Sequence, residues 1–169
     1  GYETRLSENP DEELTLVGPE TPCGEYLRRF WHPVFLDKEL GDLPVALKVL
    51  GEELVLFRDL SGKLGLVHKR CPHRLSSLEY GKCEEHGIRC CYHGWHFDTD
   101  GTLLDVPGQP EHLSERLKSR IKLGAYPLVE NKGLIFTYMG PTREIPDFPI
   151  FDAMEFDNME MVTYKAPFR

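Results

Sequence analysis

Residues 68–96 read HKRCPHRLSSLEYGKCEEHGIRCCYHGWH, and this stretch decides how the rest of the chain is understood. It holds four of the five cysteines and five of the seven histidines. Two short segments stand out within it. Cys71-Pro72-His73 is followed, after sixteen residues, by Cys90-Cys91-Tyr92-His93. Each offers one thiolate and one imidazole from a tight loop, with Pro72 stiffening the first and Gly94 letting the backbone come close at the second. Two such loops can assemble a four-ligand metal site. The odd cysteine count and the lack of an export signal argue against a disulfide scaffold.

The same stretch carries Lys69, Arg70, Arg74, Lys82 and Arg89 against Glu79, Glu84 and Glu85. It is therefore +2 inside a chain of formal charge −8. The overall acidity speaks against a nucleic-acid partner, which requires a basic face. No apolar run approaches the roughly 20 residues that cross a bilayer. The start, Gly1-Tyr2-Glu3-Thr4-Arg5, has no signal-peptide pattern. The expectation is a soluble, cytoplasmic protein that binds neither nucleic acid nor membrane.

Flanking the loops, short apolar runs separated by turn residues predict strands at 45–50, 54–57, 64–68, 88–91, 96–98, 102–106, 126–130 and 134–138. Asp100-Gly101 is a two-residue hairpin signal, and Asn131-Lys132-Gly133 joins the last two runs. Thr21-Pro22 reads as an N-cap with proline at the first helical position, starting a helix over 22–31 with Tyr26, Leu27, Phe30 and Trp31 on its apolar side. A second, surface helix is predicted at 112–121, and a strand at 161–164 after two aromatic-acidic pairs, Phe151-Asp152 and Phe156-Asp157. The fold class is all-β, a small sandwich or barrel with two ligand-bearing loops and a short N-terminal helix. The chain divides into an N-terminal extension (1–41), the β unit (42–140) and a tail (141–169) with too little apolar mass to fold alone, read as the start of something further.

Two kinds of metal centre compete for the ligands Cys71, His73, Cys90 and His93. A zinc site of two cysteines and two histidines accepts them. A Rieske-type iron–sulfur cluster needs two cysteines on one iron and two histidines on the other, which explains why each loop contributes one of each. Cys83 and His86 offer a further zinc set with Cys90 and Cys91, against their lying on the connection between the loops. Cys91, beside Cys90, points the opposite way on a strand and reads as a packed thiol. His68, His96 and His112 read as structural or solvated, and Cys23 has no partner in view.

Cys71-Pro72-His73-Arg74, with Gly87-Ile88-Arg89-Cys90-Cys91-Tyr92-His93-Gly94-Trp95-His96-Phe97-Asp98, closely resembles the Rieske domain of ring-hydroxylating non-haem iron oxygenases. The segment from Thr21-Pro22 to Pro33-Val34 resembles the start of the phthalate-dioxygenase-like members, and Tyr126-Pro127, Glu130 and Gly133-Leu134 match the last Rieske hairpin. One departure is Leu75-Ser76, where small residues beginning with glycine are common. The resemblance implies a [2Fe–2S] cluster with Cys71 and Cys90 on one iron, His73 and His93 on the other. It implies an oxygenase α subunit that hydroxylates or demethylates a small aromatic-type substrate, fed by a reductase or ferredoxin and assembled as a homotrimer. The mononuclear Fe(II) would then belong to a catalytic domain beyond 141–169, since no Asp/Glu-x-x-His-x-x-x-x-His set is present. Relatives in cytochrome bc complexes carry an extra cysteine in each loop, where Ser76 and Tyr92 stand here, and a serine where Trp95 stands. Fewer donors to sulfur imply a reduction potential low in the Rieske range. The basic surplus, Lys82 and Arg89 included, is expected to steer an acidic donor. A free-standing ferredoxin-type carrier and a structural zinc module are the alternatives.

Overall fold

Leu54, Val55, Leu56 and Phe57 form an unbroken apolar run, and a strand of that composition needs cover on both faces. The computed structural model, which describes residues 11–155 and 162–164, provides it. The strands are β1 (Trp31–Leu36), β2 (Val45–Val49), β3 (Glu52–Arg58), β4 (Leu64–His68) and β5 (Lys82–Cys83). They continue with β6 (Ile88–Arg89), β7 (His96–Phe97), β8 (Leu103–Asp105), β9 (Leu128–Asn131) and β10 (Leu134–Tyr138). Three antiparallel sheets result, ordered β1-β10-β9, β2-β3-β4 and β5-β6-β7-β8. The all-β expectation holds.

The run 54–57 lies in β3, the middle strand of its sheet, and all four side chains are fully buried. Alternation splits them. Leu54 and Leu56 join Leu66, Ile135 and Met139 in one core, toward the β1-β10-β9 sheet. Val55 and Phe57 join Cys71, Cys90, Trp95 and Phe97 in the other. The second core thus carries the ligand loops directly on its surface. Residues 124–126 run along β4, with the Tyr126 N–H donating to the Leu66 carbonyl at 2.9 Å.

Asp59, at the β3–β4 turn, ties two sheets together. One carboxylate oxygen accepts from the Ser61 and Lys63 N–H groups and the Ser61 hydroxyl; the other accepts from the Gly87 N–H at 3.1 Å in the β5–β6 turn. Burial by itself would raise this carboxyl, but these hydrogen bonds outweigh it and hold Asp59 below the usual carboxylate range. Gly87 has φ +81°, and a Cβ there would collide with the Phe97 carbonyl.

The N-terminal helix is shorter than predicted. Helix α1 (Glu12–Thr15) precedes α2 (Pro22–Leu27), which Thr21 caps by accepting from the Gly24 N–H at 3.2 Å. At the helix end Arg28 turns inward. Its guanidinium, 6% exposed, pairs with Glu52 at 2.7 Å and donates to the carbonyls of Val17 and Leu50. Glu52 also accepts from the Tyr126 hydroxyl at 2.6 Å. Trp31, expected on the helix, instead begins β1 opposite Tyr138, with a register shift between Pro33 and Phe35 because proline donates no ladder hydrogen bond. Tyr26 and Phe30 are exposed and meet each other edge-on rather than forming a buried side.

The surface helix is α3 (Glu111–Lys118), and a short α4 (Asp152–Glu155) follows Phe151. Of the strand expected at 161–164, Val162 to Tyr164 carry no strand, while Met161 lies outside the described residues. Phe156-Asp157 also lies outside them. Among the described residues no helix is long and apolar enough to cross a membrane.

Candidate metal centre

Both ligand loops close on themselves by the same backbone pattern. In the first, the Cys71 N–H donates to the Ser76 carbonyl and the Leu75 N–H to the Cys71 carbonyl, both at 2.9 Å. In the second, the Cys90 N–H donates to the Trp95 carbonyl at 2.8 Å and the Gly94 N–H to the Cys90 carbonyl at 3.1 Å. The fifth residue of each loop is left-handed: Leu75 at φ +58° and Gly94 at φ +72°. Glycine adopts that conformation freely, whereas leucine is strained there by about 1–2 kcal/mol. Leu75 is 67% exposed and loses little packing if removed. Leu75→Gly is therefore expected to stabilise the protein by about 0.5–1 kcal/mol after glycine's own entropy cost, raising Tm by about 1–4 °C in a thermal melt.

The loops sort their donors by depth. Cys71 and Cys90 are 1% and 4% exposed and their thiols face each other. Burial, together with the neighbouring Cys90, pushes the Cys71 thiol up to about 11, although the His73 and Arg74 N–H groups aimed at its sulfur pull the other way. A metal bound there displaces a proton. His73 and His93 are exposed, their rings edge-to-face with centroids 4.5 Å apart. Partial desolvation, then His93 and Arg74, hold His73 below the ordinary imidazole range, which favours the neutral, metal-binding form. The Trp95 indole stacks on His73, and Tyr92 lies against His93.

Arg89 secures the second loop. It donates to the Gly94 carbonyl at 2.8 Å and to Asp105 at 2.9 Å, contacts Glu84 at 3.2 Å and approaches His96 Nδ1 at 3.3 Å. The expected basic patch is largely neutralised. Lys69 pairs with Glu79, Arg70 with Glu53, and Lys82 and Arg89 with Glu84. Among the described residues, only Arg74 of the five basic groups has no ion pair. The other candidate zinc ligands are not brought together: Cys83 is buried on β5 and His86 is exposed. Cys91 is exposed rather than packed, because its neighbour Cys90 takes the inward side, and it meets Ser76 Oγ at 3.9 Å. Neither the Trp95 stack nor the matched loop closure is visible in the sequence, apart from the glycine at position 94.

Among the described residues, no three His, Cys, Asp or Glu side chains converge on a single ion. The four candidates form two pairs instead, sulfur below and nitrogen above. That donor set fits a binuclear group with one iron per pair better than a tetrahedral zinc. Paired thiol and imidazole donors on an antiparallel β frame are what an iron–sulfur group of mixed ligation requires. The chain belongs to the Rieske [2Fe-2S] domain family, whose sequence model matches residues 30–127. It is 50% identical over 155 residues to the tert-butanol monooxygenase / tert-amyl alcohol desaturase oxygenase subunit of Aquincola tertiaricarbonis, covering 90% of this chain and 33% of that protein. It is also 50% identical over 147 residues to the phenoxybenzoate dioxygenase subunit alpha of Ectopseudomonas oleovorans, covering 87% and 36%. Among solved structures, the reduced oxygenase–ferredoxin complex of carbazole 1,9a-dioxygenase matches with TM-score 0.60 and 35% identity, over 79% of this chain and 33% of that one. The chain thus spans about a third of the length of the curated relatives it matches.

Proposed function

We propose that Cys71 and Cys90 hold one iron of a [2Fe–2S] cluster and His73 and His93 the other. On this reading the chain is the electron-transfer part of a Rieske non-haem iron oxygenase that uses O₂ to hydroxylate or demethylate an aromatic-type substrate. The observation that carries it is the partition of donors, with thiols in the core and imidazoles at the surface. When bound, the cluster stores and releases one electron at a time. The protein sets the conditions for this. Core residues keep water from the sulfur pair, backbone N–H groups favour the Cys71 thiolate, and the exposed imidazoles bring the edge of the site within reach of a partner.

The oxygenase subunits among the relatives support the activity, and the ferredoxin complex of the carbazole enzyme supports a ferredoxin or reductase as donor. The full-length protein is proposed to be cytoplasmic, to form a homotrimer, and to hold its mononuclear iron in a separate catalytic domain. The reading is tested by colour and spin. A red-brown protein with a rhombic EPR signal on reduction is expected, and a colourless, fully zinc-loaded preparation without that signal would overturn it.

A further inference from the structure

We propose that Trp95 is a positioning residue for the site: its stack on His73 fixes the plane of that imidazole and shields one face from water, making the two histidines inequivalent. The inference rests on the ligand assignment above. The indole and the His73 ring are parallel to within 2°, with centroids 4.7 Å apart. His93 meets His73 edge-on at 64°, and Tyr92 lies tilted by 35° against His93. Trp95 is 7% exposed whereas Tyr92 is 60% exposed. His73 therefore leans on a core side chain and His93 on a surface one.

Trp95 is itself fixed twice. Its carbonyl accepts from the Cys90 N–H, and its indole sits in the core 6.4 Å from the Phe97 ring. A residue of the second loop thereby sets a ring orientation in the first. His73 cannot turn about its Cβ–Cγ bond without giving up the face contact. Tyr92 can leave His93 without disturbing the core. Removing the indole frees His73 to turn and lets water reach its face. Greater solvent access favours the reduced, more negative state, so the reduction potential rises.

The test compares the cluster-loaded wild-type chain with Trp95→Leu, Trp95→Met and Trp95→Phe. Pulsed EPR of the reduced state resolves the two histidine nitrogens as separate hyperfine couplings. In Trp95→Leu, one coupling is expected to shift while the other stays, and the midpoint potential rises. Trp95→Phe, which restores a ring face, is expected to stay near wild type on both measures. Couplings and potential unchanged in Trp95→Leu, or both couplings shifted equally, overturn the proposal. If the leucine variant loses its cluster, the methionine variant is read by the same criteria. Loss in both of these with retention in Trp95→Phe supports a requirement for a ring face, and loss in all three overturns it. Wild-type protein with no reduced-state signal would instead overturn the ligand assignment.

Discussion

Cys71→Ser and, separately, Cys90→Ser are expected to yield a colourless protein with no reduced-state EPR signal and no bound iron or sulfide. Both thiols are almost wholly buried and face each other, so no solvent-borne ligand can take the place of either one. A serine hydroxyl is a poor donor to iron in a site that selects soft thiolates. Because metal binding adds directly to folding free energy, the same variants should also melt at lower temperature than the loaded wild type. Cys91→Ser is the matched control. Its exposed thiol points away from the pair, and cluster content should be unchanged. Iron and acid-labile sulfide analysis decides the matter: retention of a full cluster in Cys71→Ser, or its loss in Cys91→Ser, would show that the ligands are misassigned.

Asp59→Asn is expected to cost about 3 kcal/mol of stability at neutral pH, lowering Tm by about 6–12 °C. The carboxylate accepts four hydrogen bonds from Ser61, Lys63 and Gly87. An amide keeps one acceptor oxygen and sets a donor where another acceptor is needed. The effect should depend on pH in a definite direction. Asp59 is held below its ordinary value in the folded state. Its contribution is therefore complete above the unfolded-state pKa near 4 and disappears as pH falls through the lower folded value. Wild type and variant, compared in the same metal state, should converge as the pH is lowered from 7 to 3. A gap that stays constant over that interval would mean that charge plays no part in the contact.

The features legible in the sequence were those set by local chemistry. The Cys71/His73 and Cys90/His93 segments, the Asp100-Gly101 turn and the apolar runs at 54–57 and 64–68 are each set within a few residues. What escaped depends on partners remote in the chain. Pro33 argues against a strand interior, and only Leu134 to Tyr138, about a hundred residues on, supply the edge that makes β1 possible. The charge surplus around the loops was a count along the chain, whereas Glu53 and Asp105 reach Arg70 and Arg89 across strands. The expectation of a packed Cys91 places it on a strand, opposite Cys90; it lies instead in the turn of the second loop, where its side chain is exposed beside the inward Cys90. Nothing local marks Leu75 as left-handed; its equivalence to Gly94 appears only when the two loops are compared in space.

The pairing of Trp31 with Tyr138 has a mechanical consequence. The two flanks of the β unit emerge side by side, about 5 Å apart, at one end of the β1–β10 seam. Tension between those flanks would load the ladder one rung at a time, from Trp31–Tyr138 toward Leu36–Leu134, in the manner of a zipper. Trp31, Phe136 and Phe148 form an aromatic latch beside that end, reinforced by the Trp31 indole donating to the Pro146 carbonyl. The two loops, one between β4 and β5 and the other between β6 and β7, lie outside this seam. Tension applied at those flanks is thus met first at the seam and its latch, away from the loops that carry the four donors.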